Sequence, residues 1–119
     1  MQFCIKDKTA LKDAVETLCV CLRENGVPAE RVFDSRLVVN ELLGNVFKHG
    51  DGDARLSVVL NEAYIEITVY TETPFYLPKV SVCSDVYAEH GRGLYLIDSL
   101  CLERCNLQDG SICIRIRRN

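Results

Sequence analysis

The chain has 119 residues, of which 48% are hydrophobic and 26% charged, with seven Gly, three Pro and a net charge of −3. That length fits one domain, and the apolar content is enough for a core that needs no metal or disulfide staple. The slight acidity argues against non-specific nucleic-acid or anionic-membrane binding, which needs a basic excess. No apolar run approaches the roughly 20 residues that span a bilayer.

Residues 2–6 alternate and predict a short strand. Over 9–25 the residues Leu11, Ala14, Val15, Leu18, Cys19 and Leu22 recur at helical spacing, with Thr9 as the expected N-cap and Asn25-Gly26 before Pro28 as the stop. A second, longer helix is predicted over 29–48, with Val32, Phe33, Leu37, Leu42, Leu43, Val46 and Phe47 as its buried side, ending at His49-Gly50-Asp51-Gly52. Residues 54–60 and 63–70 alternate as strands, and the short Asn61-Glu62 link makes them a hairpin. Residues 71–91 carry Pro74 and Pro78 without a clear period and are read as a long loop, a kind of segment that is more often functional than accidental. A helix over 93–100 follows, then a closing hairpin of 101–106 and 111–117 around Gln108-Asp109-Gly110. The expected architecture is α+β: a two-layer sandwich in which helices cover one face of a mixed, mostly antiparallel sheet, over 1–119 as one domain.

The seven cysteines are odd in number and no apolar leader precedes them, so free thiols in a reducing cytoplasm are expected. Cys19 and Cys21, two apart on a helix, point about 200° from each other and cannot share one ion. The arginines Arg115, Arg117 and Arg118 form the one basic cluster, and at strand spacing they suit a solvated sheet face better than a nucleic-acid patch.

Two constellations carry chemistry. Glu41, Asn45 and His49 are spaced by four, so each step turns about 40° and all three share one helix face, with Lys48 adjacent. A carboxylate can accept a proton or orient a nucleophile. An amide oxygen is a hard ligand suited to magnesium, which takes one or two protein ligands beside phosphate oxygens and water. Gly44, inside the same helix, costs about 1 kcal/mol relative to Ala and calls for a packing or close-approach reason. On spacing alone, the simpler reading is an exposed helix side with His49 favoured by the dipole. The second constellation is Gly91-Arg92-Gly93-Leu94 directly before a helix, where backbone N–H groups form an anion site and Arg92 adds charge. A loop-to-helix turn with Arg92 in solvent is the equal alternative. Taken together, one constellation supplies a magnesium ligand and a candidate base, and the other supplies phosphate donors, with a lid-like loop between them.

The stretch Glu41-Leu42-Leu43-Gly44-Asn45-Val46-Phe47-Lys48-His49-Gly50 resembles the N-box of the gyrase, histidine-kinase and MutL ATPase superfamily. His90-Gly91-Arg92-Gly93-Leu94-Tyr95-Leu96-Ile97 resembles its second glycine box, in the wording most similar to the anti-sigma-factor serine/threonine kinases. The resemblance implies the Bergerat ATP-binding fold, with ATP and Mg as cofactors. By motif match Asn45 would hold the magnesium ion and Glu41 would be the general base. Nucleotide contacts would come from Asn45, Lys48, His49, Thr71, Gly91, Arg92, Gly93 and Leu94. It further implies a transcription regulator that phosphorylates a serine on an anti-anti-sigma-like partner, sequesters a sigma factor and commonly acts as a homodimer. One departure stands out: the family's Asp-x-Gly-x-Gly box is replaced here by Thr71-Glu72-Thr73-Pro74-Phe75. A Thr hydroxyl can hydrogen-bond adenine but offers no charge. Two readings follow, a kinase and a non-catalytic protein-binding module of the same fold.

Overall fold

The computed structural model describes residues 1–49, 54–71, 97–106 and 111–119. The expected turn at 50–52, the loop from 72 onward, the start of the third helix and the turn at 108–110 lie outside the described residues.

Strand β1 (Gln2–Ile5) leads into helix α1 (Lys8–Glu24). The cap is Asp7, two residues earlier than the expected Thr9: its backbone is extended and its carboxylate accepts the Ala10 N–H at 2.8 Å. Ala14, Val15, Leu18, Cys19 and Leu22 form the buried stripe, as the spacing predicts. The helix ends where Gly26 takes φ +81°, a left-handed backbone that only Gly adopts without strain. Val27 N–H then bonds Leu22 C=O at 3.0 Å and Gly26 N–H bonds Arg23 C=O at 3.0 Å, the paired closure that satisfies the last carbonyls.

Helix α2 (Ala29–His49) buries Val32, Val38, Val39, Leu42, Leu43 and Val46. Phe33, expected on this buried side, is instead 59% exposed, and Leu37 is half-buried. Ser35 is buried in their place. Its hydroxyl donates to Arg31 C=O at 2.8 Å, so the polar group enters the core already satisfied.

Strands β2 (Ala54–Leu60) and β3 (Tyr64–Thr71) pair as the expected hairpin. Asn61 shapes the link, its side-chain oxygen accepting the N–H groups of Ala63 at 3.0 Å and Tyr64 at 2.9 Å. Residues 97–100 are helical, followed by β4 (Glu103–Asn106) and β5 (Ile112–Arg117). The sheet runs β1-β2-β3-β5-β4, and all four pairings are antiparallel. Leu56, Val58, Ile65, Ile67, Val69, Ile112, Ile114 and Ile116 fill its inner face, and α1 and α2 cover them. The fold is thus the α/β two-layer sandwich expected, with both long helices on one side of a five-stranded antiparallel sheet.

The opposite face holds Arg115 and Arg117 of the basic cluster. Arg115 pairs with Glu103 at 2.8 Å and Glu66 at 3.4 Å and lies over the Tyr64 ring at 5.0 Å. Arg118 donates to the Asn61 and Asn25 carbonyls at 2.9 and 2.8 Å. Arg115 agrees with the expected sheet-face role, whereas Arg118, beyond the end of β5, ties the β2–β3 turn to the end of α1.

Candidate functional site

The buried residues of α2 define an arc of about 140°, from Val38 round to Leu43, at 100° per residue. The Glu41, Asn45 and His49 positions run along the Val38 border of that arc. Glu41 is half-buried there, so the stripe starts at the edge of the core and not on the fully solvated side. The side chains of Asn45, Lys48 and His49 lie outside the described residues.

Thr71 is the last residue of β3 and pairs with Ala54. It continues the alternation Ile65, Ile67, Val69 and therefore belongs to the inner, helix-covered face, where it is half-buried. α2 packs over β3 and β5. Gly91, Arg92, Gly93 and Leu94 lie outside the described residues. The helix they would open is fixed at its far end: Ile97 is fully buried in the core. One residue on, the Asp98 carboxylate accepts from Arg104 twice, at 2.5 and 3.1 Å. Arg104 is itself 7% exposed, so this two-point contact is largely shielded from water. The contact pins the end of the third helix to β4, next to β5 and then β3. No sequence signal pointed to this anchor, because a six-residue separation across a helix–strand junction matches neither helix nor strand spacing.

Two thiols complete the electrostatics. Burial pushes the Cys113 thiol up, partly offset by a hydrogen bond with Thr68. Burial also raises Cys101, helped by the neighbouring Asp98 carboxylate. Among the described residues no group of three or more His, Cys, Asp or Glu is placed to hold a metal ion, and no helix is long and apolar enough to cross a membrane.

The described residues thus give a two-layer sandwich with a half-buried carboxylate on α2, a half-buried threonine ending β3 and an anchored third helix. A search of curated proteins found no match. The family model of the histidine kinase-like ATPase domain matches residues 5–117, which is nearly the whole chain. The chain belongs to the histidine kinase-like ATPase domain family.

Proposed function

We propose that the chain is an ATP- and Mg-dependent serine/threonine protein kinase of the anti-sigma-factor type, which binds and phosphorylates a partner protein in the cytoplasm and so regulates transcription. The observation that carries the reading is the half-buried Glu41 at the core border of α2, one turn before Asn45. A module that only binds protein needs no carboxylate held there. A hydroxyl nucleophile, in contrast, needs a base within hydrogen-bond reach.

Hard oxygen donors fit magnesium, so Asn45 would hold the ion, which when bound neutralises charge on the ATP phosphates. Lys48, His49, Arg92 and the backbone N–H groups of Gly91, Gly93 and Leu94 would hold the phosphates. Thr71 would meet the adenine with a hydroxyl. Glu41 would take the proton of the partner's serine as its oxygen attacks the terminal phosphorus, and ADP would leave. The partner in this reading is an anti-anti-sigma-like protein or a sigma factor, and the acting unit is a homodimer.

A second reading is favoured by one observation. Thr71 ends β3 where the family's Asp-x-Gly-x-Gly box would begin. A module of the same fold that has lost tight ATP binding would still hold a partner. Calorimetric titration with ATP and magnesium separates the two. The kinase reading expects saturable binding that Asn45→Ala removes, and phosphotransfer that Glu41→Ala abolishes while binding persists. Absence of ATP binding by the unaltered chain would leave only the binding module.

A further inference from the structure

On the solvent side of α2, Phe33, Leu37, Asn40 and Gly44 follow one another at intervals of four, three and four residues. This spacing keeps them within about 60° of each other, the seam of a helix packed against a second helix. Nothing in the described chain fills that seam. Phe33 is 59% exposed, Leu37 is half-buried, and Asn40 and Gly44 are exposed. A Cβ at Gly44 would meet no atom within 4 Å, so the described packing does not account for a glycine in the helix interior. The remaining physical reason for it is close approach of something beyond the described residues.

The seam also borders a groove. Asn40 and Gly44 line a hollow of about 630 Å³ between α2 and α1, floored by Leu11 and Val15. Lys8, Lys12 and Arg36 stand around it against a single acid, Glu16. None of the three cations is ion-paired among the described residues. Lys8 and Lys12, four apart on one helix, repel each other, and the local excess is basic although the whole chain carries −3.

We propose that the Phe33–Leu37–Asn40–Gly44 seam and the basic α1–α2 groove beside it form a docking site for an acidic amphipathic helix of a partner protein. The heptad spacing selects a helix, the glycine lets its backbone come close, and the cations select acidic flanks. The groove lies on the α1 side of α2 and the seam's Leu37 edge adjoins Glu41, four residues on, but none of its features needs ATP, so it stands whether or not the chain binds ATP.

The test uses the full chain, isotopically labelled for amide NMR. The probe is a synthetic amphipathic peptide of about 20 residues with Leu on one face and Glu on the other. Saturable shift changes centred on Phe33, Leu37, Asn40 and Gly44 are expected, with none from the same peptide carrying Lys in place of Glu. The double variant Lys12→Glu/Arg36→Glu should weaken binding at least tenfold, and Gly44→Gln should do the same by filling the seam. Because Gly44 faces open space, Gly44→Gln should melt no lower than the unaltered chain, so lost binding is not lost folding. Three results overturn the proposal: no binding, equal binding of the Lys peptide, or shifts centred on the outer sheet face. Self-association of the chain that Gly44→Gln abolishes would assign the seam to a second copy and overturn it as well.

Discussion

Cys101 and Cys113 give the molecule an alkaline limit. Burial is the main cause of the rise in both, and the ordinary value for the group is 9.0. A raised folded-state value means that the folded chain keeps the thiol proton to higher pH than the unfolded chain does. The associated stability is complete below the unfolded value and is lost as pH rises through the folded one. The stability difference between the unaltered chain and Cys113→Val, read from urea midpoints, should therefore be constant between about pH 7 and 8 and shift in favour of the variant above about pH 9. A difference that does not change across this range would remove Cys113 from the account. The same burial explains why the odd cysteine count had little to say about the site. Cys19 and Cys113 are buried free thiols, so they behave as small apolar side chains.

The ends and faces of the helices show how far local pattern reaches. Both α1 boundaries were legible within two residues, yet the cap is Asp7 and not Thr9. Both have cap chemistry, and the choice falls to the one whose backbone is extended as the chain leaves β1. Asp7→Ala should cost about 1 kcal/mol in urea unfolding, and Thr9→Ala a few tenths. Gly26→Ala should cost more than about 1 kcal/mol, because φ +81° forces a Cβ into the left-handed region. A Thr9 variant as damaging as the Asp7 variant would place the cap elsewhere. For α2 the expected side was right at Val32, Leu42, Leu43 and Val46 and wrong at Phe33. Hydropathy put Phe33 inside and said nothing for Ser35, while the structure does the opposite. A serine that bonds its own helix loses its polar penalty, and the exposed Phe33 lies on the seam proposed above for a partner helix.

Across the whole molecule, the short-range pairing was readable and the long-range pairing was not. The β2–β3 hairpin follows from two alternating runs and the Asn61 turn. The β3–β5 pairing sets Glu66 opposite Arg115 and cannot be read from either strand alone, although each strand's alternation fixes its buried face. That pairing makes β3 central and delivers Thr71 to the space under α2. Of the motif pair in the sequence, the structure describes the backbone of the first on α2, and the second lies outside the described residues. A nucleotide that binds the folded chain only must raise thermal stability by mass action. ATP with magnesium at one hundred times its dissociation constant adds about 2.7 kcal/mol, which for a domain of this size raises the melting temperature by roughly 10 °C. Under the proposed roles Asn45→Ala should lose most of that rise, whereas Glu41→Ala should keep it, since a general base would contribute to transfer and not to binding. Inorganic triphosphate with magnesium divides the site further. In the proposed site both ligands would make the phosphate contacts of Asn45 and Gly91–Gly93, and only ATP would reach Thr71. A rise equal for the two ligands would mean that the Thr71 end contributes nothing to adenine. A larger rise with ATP would show that a hydroxyl on the inner face of β3 serves where the family uses a carboxylate.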